Sequence, residues 1–134
     1  MPNIYTLITN NISIKAKPEY LENESVPSER NYIWLYHITI ENKGEESVQL
    51  INRYWHITDG NGMVQEVRGP GVVGLQPVIM PYEKFEYSSS VNLITPTGIM
   101  HGHYEFIRNS DNTIFYAQIP VFSLDSTDQL KRPN

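Results

Sequence analysis

Apolar and polar residues alternate along most of this chain with a period of two, the pattern of strands that bury one face. The clearest run is 32–41. Trp34, Tyr36, Ile38 and Ile40 line one face of it, and Leu35, His37, Thr39 and Glu41 the other. Ile12, Ile14 and Ala16 alternate with Ser13, Lys15 and Lys17 as far as Pro18, where an interruption is expected. Residues 48–59 form a further strand holding Leu50, Tyr54, Trp55 and Ile57, and 63–67 a short one. Residues 84–91 turn Phe85, Tyr87 and Val91 inward and Lys84, Glu86, Ser88 and Ser90 outward. Residues 100–108 set Met100, Gly102, Tyr104 and Phe106 against His101, His103 and Glu105, and 113–122 make the last strand. Turn residues separate these runs. Residues 21–31 are a polar loop, 42–45 read as a hairpin connection, and Asp59-Gly60-Asn61-Gly62 carries two strong turn dipeptides.

No segment shows a helical period, so the fold expected is an all-β sandwich. It is of the immunoglobulin or fibronectin type III kind, with about seven or more antiparallel strands. The aromatics Trp34, Tyr36, Tyr54, Trp55, Phe85, Tyr104 and Phe115 fall on strand periods and are read as filling the space between sheets. A single domain over residues 1–124, followed by a polar tail over 125–134, accounts for the chain.

Composition narrows the chemistry. There is no cysteine, hence no disulfide, no thiolate metal site and no cysteine nucleophile, which suits a reducing cytoplasm. The first residues lack the basic and apolar regions of a secretory signal, and no apolar stretch approaches the roughly 20 residues of a spanning helix. A net charge of −5 argues against general nucleic-acid binding.

Gly69, Gly71 and Gly74 have the G-x-G-x-x-G spacing of a dinucleotide site. That reading requires a helix after the last glycine, to aim its free N–H groups at phosphate. Pro77 and Pro81 follow instead, with Val78 and Ile79 between them. The segment is therefore expected to be a loop that needs glycine for positive φ or close approach. An anion site formed by Arg68, Gly69, Gly71 and Gly74 is the alternative, since glycine-rich loops also make N–H nests. Arg53 and Arg68 are the suggestive cations: Arg68, just before the glycines, could meet a phosphate or a partner's carboxylate through its planar fork, but pairing with Glu66 or a strand end of its own domain is the reading preferred. His101 and His103 share one face of a strand and are weak candidates for a metal. His37 and His56 would join them only if their strands are neighbours. No nucleophile elbow accompanies Ser88, Ser89 or Ser90.

The stretch VQLINRYWHITDGNGMVQEVRGPGVVGLQP, residues 48–77, closely resembles the ApaG family, also called CorD. So does 85–106, with Tyr87, Leu93, Thr95-Pro96, Gly98, Met100, Gly102 and Tyr104 in the family's pattern, and so does the closing IPVFSL at 119–124. The departure is Tyr82, where the family usually has glycine. The resemblance implies a small, mainly bacterial, cytoplasmic β-sandwich of fibronectin type III-like form, with no established enzymatic activity and no cofactor. It also implies a genetic connection with cobalt resistance and magnesium efflux. Similar domains serve as interaction modules in eukaryotic proteins. The expectation is a non-catalytic protein-interaction module with an unknown protein partner and a tendency to form a homodimer. Neither nucleic acid nor membrane insertion is expected.

Overall fold

The computed structural model describes residues 3–127, and these form two antiparallel sheets packed face to face. In chain order the strands are β1 (Tyr5–Thr9), β2 (Ile12–Tyr20), β3 (Tyr32–Asn42), β4 (Val48–Asp59), β5 (Val64–Pro70), β6 (Val78–Ile79), β7 (Lys84–Leu93), β8 (Thr97–Arg108) and β9 (Thr113–Asp125). One sheet has the order β1-β2-β3-β7. The other has the order β5-β4-β8-β9, with β6 paired to the start of β4. The helical content of the described residues is one 3-10 turn, Pro27–Glu29, and no helix among them is long and apolar enough to cross a membrane. This is the all-β sandwich expected. The last strand extends to Asp125, and residues 128–134 of the expected tail lie outside the described residues.

Two local expectations are corrected. Residues 42–45 do not close a hairpin: β3 pairs with β2 and β7, whereas β4 pairs with β5, β6 and β8, so the connection crosses between sheets. Pro18 does not interrupt β2, and it sits opposite Tyr36. The Leu21 N–H donates to the Ile33 carbonyl, so the odd-numbered residues of β2 bond to β3 and the even-numbered ones face β1. β1 begins only at Tyr5, opposite Ala16, and the missing N–H of Pro18 therefore faces no strand.

Alternation places Ile12, Ile14, Ala16, Trp34, Ile38, Ile40, Leu50, Met100, Phe106 and Leu124 fully inside. Trp55 is the hub, with its ring 5.2 Å from Tyr36, 6.0 Å from Phe122 and 6.4 Å from Tyr104. All three contacts are edge-on, the geometry that aromatic quadrupoles favour. The Tyr87 and Tyr104 hydroxyls bond to each other across the core. Burial drives both phenols above their ordinary range, so both stay protonated.

Two irregularities shape the second sheet. The register of β4 on β8 slips between Leu50 and Asn52, making Ile51 the extra residue of a bulge. Leu50 therefore faces inward with Trp55 and Ile57, and Tyr54 is turned out, contrary to the expectation that it fills the core. Gly102 lies where β4 leaves no room for a side chain on β8: a Cβ there would stand 1.9 Å from the Tyr54 carbonyl oxygen. Tyr82 is held at φ 66, so the turn keeps a glycine-like backbone although the residue is tyrosine.

Candidate functional site

The glycine segment folds back on itself. Gly69 belongs to β5 and lies opposite Arg53, where an added Cβ would meet the guanidinium nitrogens at 3.0 Å. Arg53 Nη1 donates to the carbonyls of Pro70 at 2.9 Å and Gly71 at 3.1 Å. Gly71 has φ 60, and any side chain there would strike the Leu75 carbonyl oxygen at 2.1 Å. Val72 and Leu75 exchange two backbone hydrogen bonds around Val73 (φ 43) and Gly74 (φ 79). That is a two-residue turn with positive φ at both central positions. The Gly71 N–H donates to the Ile51 carbonyl at 2.8 Å. The N–H groups of Gly71, Val72 and Leu75 are thus committed to the chain itself, and the segment continues into β6 rather than a helix.

Arg68 is not gathered into this turn. Neighbouring strand residues point to opposite faces, so Arg68 projects outward where Gly69 faces in. Its guanidinium lies 4.4 Å from the Tyr54 ring centroid and donates to Glu66 at 3.1 Å, with the side chain 70% exposed. Glu66 also accepts the Tyr54 hydroxyl at 2.8 Å, which raises the Tyr54 pKa.

Around Arg68 the outer face of the β5-β4-β8-β9 sheet forms an open groove of about 430 Å³. Its floor is His103, with the Tyr54 ring at 5.0 Å on one side and the Tyr116 ring at 5.2 Å on the other. Glu105 closes one end, accepting Asn52 Nδ2 at 2.6 Å and the Tyr116 hydroxyl at 3.3 Å. Desolvation, reinforced by Arg68, lowers the His103 pKa against the opposing pull of Glu105, so the imidazole favours its neutral form. The groove offers π faces, the guanidinium of Arg68 with Arg53 beside it, and hydrogen-bonding groups on a firm sheet.

The histidines divide between two faces. His56 and His101 are cross-strand partners whose rings stack at 4.6 Å, and His103 is the next outward residue along β8. His37 is on the other sheet, where Nδ1 meets Ser88 Oγ at 2.7 Å and Nε2 meets Glu86 at 3.0 Å. That line has the order of a nucleophile, a base and an orienting acid, but it lies on an exposed sheet face rather than in a cleft. Among the described residues, no three His, Cys, Asp or Glu side chains cluster as metal ligands do.

Of the residues singled out from sequence, Arg68 and His103 come together, with Arg53 and Gly69 at the rim. Gly71 and Gly74 do not join them, and His101 belongs with His56 instead. Tyr54 and Tyr116 were missed as surface groups. The signal for Tyr54 was its adjacency to Trp55, since two neighbouring aromatics on one strand cannot share a face.

Residues 22–108 match the family model described as the ApaG domain. A protein from Rhodospirillum centenum named Protein ApaG is 50% identical over 98% of this chain and 100% of its own length. Protein ApaG of Mesorhizobium japonicum is 53% identical over 91% of this chain and 93% of its own. A crystal structure of a Bordetella pertussis protein given the name ApaA superposes with a TM-score of 0.85 at 38% identity, covering 91% of this chain and 98% of that one.

Proposed function

This chain belongs to the ApaG family, and from that premise we propose that it is a non-catalytic protein-interaction domain. In this reading it docks a protein partner on the outer face of the β5-β4-β8-β9 sheet and acts in the cytoplasm. The observation that carries the reading is the groove in which Tyr54, His103, Tyr116 and Arg68 meet on a flat, open sheet. Tyrosine and arginine dominate interface hot spots because each brings large contact area together with directional hydrogen bonding. The link to cobalt resistance and magnesium efflux then runs through contact with a transporter or regulator, without ligation of the ion. The anion-binding reading of Arg68, Gly69, Gly71 and Gly74 draws less support, because the turn spends its N–H groups internally and Arg68 lies on the opposite face.

The test compares wild type with a Tyr54→Ala/Tyr116→Ala variant in quantitative capture from the native cell, after verifying that the variant folds. Proteins retained by wild type and depleted tenfold or more on the variant support the reading. Equal retention on both, or nothing above background on either, removes it.

A further inference from the structure

The open edge of β7 carries an inference independent of the groove. The two sheets have four outer edges, and three of them are covered or short. β1 and β9 lie side by side, with Asn10 Nδ2 donating to the Tyr116 carbonyl and the Gln118 N–H to Thr9 Oγ1. β5 is short and ends in Pro70. β7 is ten residues long, runs against β3 without a bulge and contains no proline. Long regular edges of this kind are usually blunted in monomeric proteins.

Its hydrogen-bonding parity follows from two observations. The Asn42 N–H donates to the Glu83 carbonyl, and the Leu21–Ile33 bond sends the odd-numbered residues of β3 toward β2. Both place the odd-numbered residues of β7 against β3. The N–H and C=O groups of Lys84, Glu86, Ser88, Ser90 and Asn92 therefore point away from the sheet. Among the described residues no backbone partner meets them. Their side chains are exposed on the outer face, where His37 holds both Glu86 and Ser88. Among the described residues no other strand covers this edge.

We propose that β7 pairs antiparallel with β7 of a second copy of this chain, about a two-fold axis through Ser88. In that register Ser88 faces Ser88 of the second copy, Glu86 faces Ser90, and Lys84 faces Asn92. Every free backbone group then finds a partner, and no like charges are opposed. On the inner face Phe85, half-buried in one copy, gains Val91 of the other. Moving the axis to Glu86 opposes two carboxylates, and moving it to Ser90 leaves Lys84 and Glu86 beyond the ladder. The run Ser88-Ser89-Ser90 supplies small, uncharged residues where the copies come closest. The axis stands perpendicular to the joined sheet, so both grooves look the same way and the assembly is bivalent.

The experiment uses the full chain at about 100 μM in sedimentation equilibrium, with circular dichroism to verify folding. Wild type is expected at twice the chain mass of 15.5 kDa. Ser88→Glu, which opposes two carboxylates on the axis, is expected to weaken association at least tenfold. Ser88→Cys introduces a cysteine into a chain that has none and is expected to form a disulfide dimer under mild oxidation. Glu86→Cys, opposite Ser90, is expected to form far less. A wild-type monomer overturns the proposal. So does a dimer indifferent to Ser88→Glu, or equal cross-linking at positions 86 and 88. The Tyr54/Tyr116 experiment has its own outcome, because that groove lies on the other sheet.

Discussion

If Gly69 is glycine because Arg53 occupies the space of its side chain, the two positions must be strongly coupled in stability. In wild type, Gly69→Ala brings a methyl to 3.0 Å from the guanidinium nitrogens. Arg53 must then give by a few tenths of an ångström, which strains, and at the limit breaks, its hydrogen bonds to the carbonyls of Pro70 and Gly71. Losing charge-assisted hydrogen bonds of this kind costs about 1.5–3 kcal/mol. Gly69 is absent from the positive-φ positions, so alanine also reduces unfolded-state entropy and returns about 0.4–1 kcal/mol. The expected net loss is about 1–2 kcal/mol. In an Arg53→Ala background the obstacle is gone, and Gly69→Ala should stabilise by about 0.4–1 kcal/mol. The sign reverses, with a coupling energy of about 1.5–3 kcal/mol. Urea unfolding followed by the fluorescence of the buried Trp34 and Trp55 measures all four corners of the cycle. Additivity within about 0.5 kcal/mol would show that the glycine is not there to make room for Arg53.

Two further outcomes are expected. Val73 is β-branched, exposed and held at φ 43, so Val73→Asn should raise stability by about 1 kcal/mol in the same assay, asparagine being at ease in that conformation; a loss would mean that the Val73 side chain supports the turn. Hydrogen bonds from His37 and then Thr39 lower the Glu86 pKa below its ordinary 4.5, so its contribution to folding is full above the unfolded value and fades as pH falls through the folded one. Carboxyl NMR titration should find Glu86 below the other exposed glutamates and rising toward them in His37→Ala; an unmoved midpoint would deny the His37 contact.

The strands were legible wherever one face is buried without a break. β3 shows this best, because Trp34, Tyr36, Ile38 and Ile40 all lie inside. β1 was not, since Leu7 and Ile8 are adjacent and both exposed, leaving no alternation to read. The connection at 42–45 has the composition of a hairpin turn. Only the choice of sheet by β4, a non-local matter, makes it a crossover. Gly69, Gly71 and Gly74 are legible as backbone devices from the prolines that follow them, but which one admits Arg53 and which one turns the chain depends on tertiary contacts. The adjacency of Tyr54 and Trp55 says that one of the two must face outward, but which one is set by the bulge at Ile51, and that leaves no mark in the residue pattern.

That bulge has a consequence for how the surface can change. It sets the frame of everything after it in β4, so that Arg53, Trp55 and Ile57 point into the sandwich while Asn52, Tyr54, His56 and Thr58 point to solvent. The two sets interleave in one strand yet answer to different demands, one volumetric and one chemical. The outward set can be randomised as a display library on an unaltered framework, and natural drift can retune recognition there at little cost in folding. Deleting Ile51 would exchange the two sets at a stroke, burying His56 and exposing Trp55. Single substitutions are the tolerated currency of this strand, and changes in its length are not.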